Sequence, residues 1–250
     1  MIDFVDEFYR KMRQHKPDFH VCGLLTESDM VYPLTTDTKV LSTIFELIVR
    51  PFIFEIASDH SLRVCEPLHQ NYYPDFTLVH DENDPAKIAV DVKSTYRNFR
   101  GGGTWRASFT LGSYTSFLRK PTKNIVFPYS QYSKHYVIGL IYTRNVPGTI
   151  HRYALDDRRA AACPFADVDF FVQEKYRIAG ERAGSGNTTN IGSITGTAVD
   201  DFAKGKGPFA KAGEAVFEDY WRNYGTTARE RPYSNLSEYY KWRKRRRAKA

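Results

Sequence analysis

The chain has 250 residues, of which 42% are hydrophobic and 15% aromatic, and it carries a formal net charge of +7. This length suffices for a large core and predicts one large domain or two small ones. No run approaches the roughly 18 apolar residues of a membrane helix. The opening MIDFVDEFYRKMRQHK lacks the uninterrupted apolar core of a secretory signal. These features exclude a membrane protein and indicate a folded globular one.

The positive charge is concentrated at the end of the chain. The last ten residues, KWRKRRRAKA, hold seven Lys or Arg and no acid, so the other 240 carry 29 basic and 29 acidic groups. Such a tail attracts phosphate through counterion release, or it is simply a solvated, frayed terminus. A role in binding nucleic acid must therefore be argued from the neutral body.

The cysteines give no sign of a metal site. Cys22, Cys65 and Cys163 are scattered, without a CxxC pair. We predict buried free thiols in a reducing cytoplasm, ahead of a zinc site.

The first 60 residues predict two helices separated by short strands. The helices span 2–14 and 36–58, and the strands span 21–26 and 30–34. Thr36 or Asp37 is the expected N-cap of the second helix, and Pro51 should kink or split it.

The middle and the end of the chain alternate strands with helices. We predict strands at 76–79, 87–93, 107–112, 124–130, 135–144 and 170–180, and helices at 214–224 and 237–250. The run at 135–144 is long and almost wholly apolar, which favours a central strand. The pattern predicts one α/β domain with a mixed sheet and a small strand-rich subdomain near residues 20–35.

Three charged side chains interrupt the apolar runs YPDFTLV and KIAVDVK. In a strand, Asp91 and Lys93 share a face while Val90 and Val92 point into a core. Pairing the two strands brings Asp75 close to Asp91. Two such carboxylates bind hard divalent cations, and a bound cation polarises a phosphoryl oxygen and activates water while a lysine stabilises developing charge. A lone DxK is usually a surface ion pair, but the Pro-Asp sixteen residues upstream completes PD…DxK, the signature of metal-dependent nucleases.

A third acid lies on the second helix. Val40, Leu41, Ile44, Phe45 and Ile48 form its apolar face, and Lys39, Thr43, Glu46 and Arg50 form the opposite stripe. Glu46 could point at the metal site and Lys39 at a phosphate. The alternative is a solvated face with a Glu46–Arg50 pair.

Two polar loops could contact a partner. GSGNTTN (184–190) offers hydroxyls, amides and glycines that let the backbone come close. It lacks GxxxxGK[ST], which argues against a phosphate-binding P-loop, but asparagine and backbone groups can read base edges. Gln70 and Asn71 stand just before the strand pair. Each loop could equally be an ordinary surface loop or turn.

Several long stretches resemble the EcoRV family of type II restriction endonucleases, within the PD-(D/E)xK superfamily. They are TDTKVLSTIFEL (36–47), QNYYPDFTL (70–78), DVKSTY (91–96), AGSGNTTNIGSI (183–194) and DYWRNY (219–224). With gaps, the resemblance runs from about residue 21 to 240. It implies a restriction-endonuclease-like fold with a central mixed sheet of five to six strands flanked by helices.

The resemblance also implies roles for individual residues. Asp75, Asp91 and Lys93 would be catalytic, with Asp75 and Asp91 as Mg²⁺ ligands and Glu46 as an auxiliary acid and metal ligand. Bases would be contacted by Gly184, Ser185, Gly186, Asn187, Thr188, Gln70 and Asn71. The DNA backbone would be contacted by Lys39, Ser94, Thr95, Thr115, Ser116 and Lys123.

The family implies a homodimer acting on double-stranded DNA at a palindrome. We expect GATATC cut bluntly at its centre, with Mg²⁺ as cofactor and Mn²⁺ as a possible substitute. A subdomain of roughly residues 19–35 plus 150–162 would form the dimer, and residues 241–250 would be a basic tail. A bacterial cytoplasmic location is implied, without a membrane and with a cognate DNA methyltransferase that makes no direct contact.

The chain departs from the family at 97–108, after Ile194 and after Tyr224, which puts backbone contacts there in doubt. A DNA-binding protein without activity is the main alternative, and a repair or recombination nuclease is a weaker one.

Overall fold

The computed structural model describes residues 2–145, 151–184, 189–227 and 229–248. The α-helices among them, in chain order, are α1 (Phe4–His15), α2 (Thr38–Asp59), α3 (Lys175–Ile178), α4 (Val199–Ala203), α5 (Phe209–Ala212), α6 (Glu214–Asn223) and α7 (Leu236–Arg247). None of these helices is long and apolar enough to cross a membrane.

The strands that precede the long central one are β1 (Gly23–Leu25), β2 (Met30–Pro33), β3 (Arg63–Cys65), β4 (Phe76–Val79), β5 (Lys87–Tyr96), β6 (Asn98–Phe99), β7 (Trp105–Arg106) and β8 (Thr110–Ser113). They are followed by β9 (Tyr132–Arg144), β10 (Tyr153–Ala154), β11 (Phe165–Glu174), β12 (Ala179–Ala183) and β13 (Asn190–Ser193).

A five-stranded mixed sheet forms the centre of the molecule, in the order β11-β9-β5-β4-β3. β5 and β9 run parallel, and the other neighbours are antiparallel. β9 is central and almost fully buried, as its apolar sequence predicts. The predicted α/β fold with a mixed sheet is therefore confirmed.

Helices cover both faces of this sheet. One face packs against α1 and α2, where Phe45 and Val90 are buried. The other face carries Phe171 and packs against α4, and Trp221 of α6 belongs to the same buried cluster. Alternate residues of β5 thus enter different cores, which places Asp91 and Lys93 on the side opposite α2.

A glycine in β9 makes room for a ring from the neighbouring strand. Gly139 is paired with Phe171 of β11 on one side and with Lys93 of β5 on the other. A Cβ on Gly139 would lie 2.1 Å from the Phe171 ring. Only glycine allows this close approach.

Two predicted strands are wrong. Residues 124–130 form no strand: Ile125 makes an isolated bridge with Tyr73, and a 3₁₀ turn follows Pro128. Proline has no amide hydrogen to donate to a ladder, which limits pairing here. Residues 170–180 also divide, because β11 ends at Glu174 and α3 follows. Lys175 and Ile178 are both buried, a spacing of three that suits a helical turn and not a strand.

The sequence predicts that Pro51 kinks or splits the second helix; it does not split it, because α2 runs unbroken from Thr38 to Asp59. The carbonyl of Leu47, four residues earlier, loses its usual donor at Pro51. The Leu47 residue is 58% exposed, so water can reach this part of the helix. The N-cap is Asp37, whose carboxylate accepts hydrogen bonds from the backbone amides of Lys39 and Val40.

The prediction of three buried free thiols is also wrong. Cys22 and Cys163 form a disulfide, with their Cα atoms 4.1 Å apart, and Cys65 is free but only partly buried. The paired cysteines are 141 positions apart. Their proximity depends on the tertiary fold, which no local spacing reveals.

A small antiparallel sheet, β1-β2-β10, lies apart from the central one. It exposes three apolar side chains, with Leu24 at 55%, Leu25 at 60% and Tyr32 at 47% exposure. The strands of this sheet fall within the predicted subdomain of residues 19–35 and 150–162, of which residue 150 lies outside the described part of the chain.

Candidate active site

The β4–β5 pair brings the three charged side chains of the PD…DxK pattern together. Phe76 is paired with Val90, so Asp75, one residue earlier, lies beside Asp91. The Lys93 Nζ is 2.7 Å from the Asp91 Oδ1 and 3.5 Å from the Asp75 Oδ2. The meeting of two carboxylates and an ammonium, predicted from spacing, is present.

The backbone fixes the Asp75 carboxylate. The Val92 amide donates a hydrogen bond of 2.7 Å to the Asp75 Oδ2. Val92 itself points into the opposite core, so its side chain takes no part in the site. Asp75 is therefore tied to β5 by a main-chain donor that lies between Asp91 and Lys93.

The pKa values of the two carboxyl groups shift in opposite directions, because burial dominates at Asp75 and the two lysines dominate at Asp91. Desolvation raises the pKa of Asp75 to about 7, with Lys93 opposing the shift and Asp91 adding to it. Burial also disfavours the charge on Asp91, but Lys93 and Lys175 outweigh it and lower its pKa. Desolvation works against the charge on Lys93, yet Asp75 and Asp91 prevail and raise its pKa. At neutral pH the site thus holds an ionised Asp91 and a cationic Lys93.

A second buried lysine, missed in the sequence, stands behind Asp91. Lys175 is 3% exposed, and its Nζ lies 3.5 Å from the Asp91 Oδ2. The same ammonium sits 3.7 Å from the centroid of the Tyr73 ring, a cation–π contact. Burial lowers the pKa of Lys175 to about 8, with Asp91 opposing the shift. Asp91 is bracketed by two ammonium groups, one on each carboxylate oxygen.

Tyr73 joins this arrangement to the wall of the site. Its hydroxyl lies 2.8 Å from the Nδ1 of His135, and its ring stacks on Phe117 at 4.3 Å between centroids. Burial, assisted by the nearby Lys175, lowers the pKa of His135 to about 3, so the imidazole is neutral. The aromatic wall holds Lys175 in place and adds no further charge.

Glu46 lies near the site without lining its cleft. Burial raises its pKa, with Lys93 opposing the shift and Asp91 adding to it. Its predicted alternative partner Arg50 instead forms a 2.7 Å ion pair with Glu66. Glu46 is thus half-buried and in the field of Asp91 and Lys93, and it is not one half of a solvated pair.

The donors suit a hard divalent cation. Among the described residues, no group of three or more His, Cys, Asp or Glu side chains forms a ligand cluster. Mg²⁺ is usually held by one or two carboxylates together with waters and substrate phosphate, which Asp75 and Asp91 can satisfy. Both carboxylates line the cleft, and their oxygens are the donors that Mg²⁺ prefers, so the residues fit the predicted metal. Among the described residues the Asp91 Oδ2 has no hydrogen-bond partner, and its ion-pair partner is the Lys175 ammonium at 3.5 Å.

A cleft of about 400 Å³ opens over these groups. Of the predicted site residues, it is lined by Asp75, Asp91, Lys93, Gln70, Asn71, Thr115, Ser116 and Lys123. The Ser116 hydroxyl donates to the carbonyl of Lys123 at 3.1 Å, which ties two of these residues together. The cleft thus combines the reactive groups with both the predicted base-contacting pair and several predicted backbone contacts.

The remaining predicted residues lie elsewhere or outside the described chain. Lys39 is exposed in the first turn of α2, and Ser94 and Thr95 are partly buried near the end of β5. Gly184 follows β12, where its amide donates to the carbonyl of Asn190 at 2.8 Å. Ser185, Gly186, Asn187 and Thr188 lie outside the described residues.

Comparison with known proteins shows the family of this chain. The family model for "Restriction endonuclease EcoRV" matches residues 15–244. The chain is 47% identical over 228 residues to the type II restriction enzyme EcoRV of Escherichia coli, covering 90% of this chain and 91% of that protein. The NlaIV restriction endonuclease structure is similar at 11% identity and a TM-score of 0.38, covering 87% of this chain and 85% of that one, a score too low to support a shared fold.

Proposed function

This chain belongs to the EcoRV family of type II restriction endonucleases, and from that premise we propose that it hydrolyses double-stranded DNA at GATATC, bluntly at the centre, with Mg²⁺. The observation that carries the proposal is the convergence of Asp75, Asp91 and Lys93 in a cleft that Gln70 and Asn71 also line. Reactive groups and candidate base contacts then meet the same stretch of duplex.

Asp75 and Asp91 would hold the metal, with Glu46 as an auxiliary acid. When bound, Mg²⁺ polarises a phosphoryl oxygen and lowers the pKa of a coordinated water; Mn²⁺ is a possible substitute. Lys93 turns its ammonium from the Asp91 Oδ1 to the scissile phosphate, where it stabilises the negative charge that develops. Lys175 cannot move toward the phosphate in the same way, because it is buried against Tyr73. It therefore stays beside the Oδ2 of Asp91 and holds that oxygen in place.

Recognition would be shared between two loops. Gln70 and Asn71 contact the minor groove, and the 184–188 loop contacts base edges in the major groove, where each base pair has a distinct pattern. Thr115, Ser116 and Lys123 position the backbone in the cleft, and Lys39, Ser94 and Thr95 contact phosphates farther out. Bending at the central step adds indirect readout.

The palindrome requires a two-fold protein, so we propose a homodimer. Its interface would be built from residues 19–35 and 150–162, and the exposed Leu24, Leu25 and Tyr32 support this choice. The enzyme would work in the bacterial cytoplasm, beside a DNA methyltransferase that it does not touch.

A plasmid digest tests the proposal. The protein is incubated with a plasmid of known sequence, with and without Mg²⁺, and the ends of the fragments are sequenced. We expect discrete fragments ending bluntly within GATATC, with 5′-phosphate and 3′-hydroxyl ends. A gel shift without fragments would instead identify a DNA-binding protein, and smeared products a less specific nuclease.

Asp91→Ala tests the site within the same assay. It should abolish cleavage while circular dichroism shows an intact fold, because it removes a carboxylate that no neighbouring acid replaces. Cleavage at the wild-type rate in Mg²⁺ would show that the site is assigned to the wrong residues.

A further inference from the structure

The basic end of the chain is a structured helix packed on the body. α7 begins at Asn235, whose side chain accepts a hydrogen bond from the Glu238 amide at 3.0 Å. Tyr239 is fully buried, and Trp242 packs against Tyr233 with ring centroids 5.2 Å apart. The basic side chains of α7 are therefore held on a helix that packs against the body. As far as Arg247, the end of the chain is not the frayed terminus that the sequence also allowed.

Four arginines meet where α7 crosses α6. Arg222 of α6 and Arg243, Arg246 and Arg247 of α7 line a depression of about 500 Å³, here called the arginine pocket. The one acid lining it is Asp219.

The charge of this pocket is only partly compensated. Arg243 lies 3.7 Å from Asp219, and Arg222 lies 3.5 Å from Glu218. Arg246 hydrogen-bonds only the neutral side chain of Asn223, at 2.9 Å, and stacks over Trp242. Among the described residues, neither Arg246 nor Arg247 forms an ion pair. Paired guanidinium groups with spare donors suit phosphate oxygens, which they bind in a forked geometry.

Direct contacts connect the arginine pocket to the cleft. Arg222 donates its Nε–H to the carbonyl of Leu118 at 3.3 Å, and Arg119 donates to the carbonyl of Tyr224. Leu118 ends the helical segment Tyr114–Leu118, which carries the cleft residues Thr115 and Ser116. The pocket thus stands one helix away from the cleft wall.

We infer that the arginine pocket binds phosphates of the DNA flanking the recognition site and so extends the enzyme's contact along the duplex. The inference rests on the proposed function, because it presupposes a duplex in the cleft. Each phosphate neutralised contributes about 0.9 to the slope of log K against log salt. Arg246 and Arg247 together should therefore contribute about 1–2 to that slope.

The test compares two duplexes with a central GATATC, one of about 12 and one of about 30 base pairs. At about 3.4 Å per base pair they reach roughly 20 and 50 Å from the centre. A chain of this size has a radius of gyration of about 18 Å, so only the longer duplex extends well past the body. Fluorescence anisotropy without metal, over a range of salt, measures binding of full-length protein.

The variant is Arg246→Gln with Arg247→Gln, and the matched control is Lys244→Gln with Arg245→Gln. Both pairs remove the same charge from the same helix, but Lys244 and Arg245 do not line the pocket. We expect the pocket variant to bind the long duplex about five- to tenfold more weakly, with a shallower salt slope, and the short duplex within about twofold of wild type. The control should change both by less than about twofold.

Three outcomes would overturn the inference: unchanged affinity for the long duplex, equal losses on both duplexes, or equal effects of the two variant pairs. A fourth such outcome would come from calorimetry with inorganic triphosphate. If the wild type binds triphosphate with micromolar affinity and the pocket variant does not, the pocket is a site for a free polyphosphate and not for DNA. Plasmid cleavage by wild-type protein runs in parallel. If the plasmid gives discrete fragments but the pocket variant binds the long duplex as well as wild type does, this inference alone is refuted. If the pocket variant weakens binding of the long duplex only, but the plasmid is not cut, the proposed cleavage alone is refuted.

Discussion

Replacing Asp75 with asparagine should stabilise the metal-free protein at alkaline pH while abolishing cleavage. In the folded chain burial raises the pKa of Asp75 from 3.8 to about 7. Asparagine has nearly the same shape and can still accept the hydrogen bond from the Val92 amide. It removes the cost of a buried negative charge without opening a cavity.

The sign follows from proton binding. Between pH 4 and 7, roughly, folded wild type retains a proton on Asp75 that the unfolded chain has lost, so its stability falls as pH rises through this window. A difference of about 3 pKa units corresponds to about 4 kcal/mol. Because the Asp75 side chain is 23% exposed, solvent relieves part of this cost. We expect Asp75→Asn to gain about 1–3 kcal/mol above pH 7, or roughly 2–10 °C in Tm, and about a third of that gain at pH 5.

Thermal unfolding in EDTA at pH 5 and pH 8.5 measures this difference. Asp6→Asn, at an exposed position in the first turn of α1, is the matched control and should leave Tm nearly unchanged at both pH values. A lower Tm for Asp75→Asn at pH 8.5, or the same shift at both pH values, would refute the reasoning.

Two further substitutions probe the surroundings of the site. Lys175→Met should slow cleavage about 10–100-fold and change its Mg²⁺ dependence, because Asp91 loses the cation that holds its far oxygen. The control is Lys87→Met, which removes an equally buried lysine of β5 whose ammonium donates to two turn carbonyls. Lys87→Met should lower Tm but leave the Mg²⁺ dependence of cleavage unchanged. A Mg²⁺ titration of the cleavage rate compares the two, and identical profiles would reduce Lys175 to a structural role. Gly139→Ala should cost about 1–3 kcal/mol, read as a lower urea midpoint, because its Cβ would displace the Phe171 ring; an unchanged midpoint would show that the ring adapts freely.

The reactive core could be predicted because strand geometry is local. Alternation alone places Asp91 and Lys93 on one face, and pairing with the preceding strand brings Asp75 to them. The position of Glu46 could be anticipated less well: helical spacing put it on a polar stripe, whereas its partial burial depends on how α2 packs. The disulfide and the arginine pocket depend on contacts between distant segments, which no spacing encodes.

Lys175 escaped prediction for a specific reason. The sequence predicts one strand over 170–180, and in it Lys175 stands among Gln173, Glu174 and Arg177, where no local feature marks it for burial. The chain instead turns into one helical turn after Glu174, which buries Lys175 against Tyr73. The burial of Lys175 depends on this tertiary contact, so no local pattern could have revealed it.

The anchoring of Tyr73 has a consequence for where the chain can cut. Asn71 and Asp75 are four residues apart, so their Cα atoms can be separated by no more than about 14 Å. That span corresponds to about four base pairs of duplex. Tyr73, between them, is fixed by hydrogen bonds to Asn124 and His135, which leaves this segment little slack. If Asn71 contacts a base pair and Asp75 faces the scissile phosphate, as proposed, this segment keeps that base pair and that phosphate within about four base pairs of each other. Such a short distance between a base contact and the cleavage site suits a short recognition sequence that is cut at a position inside it.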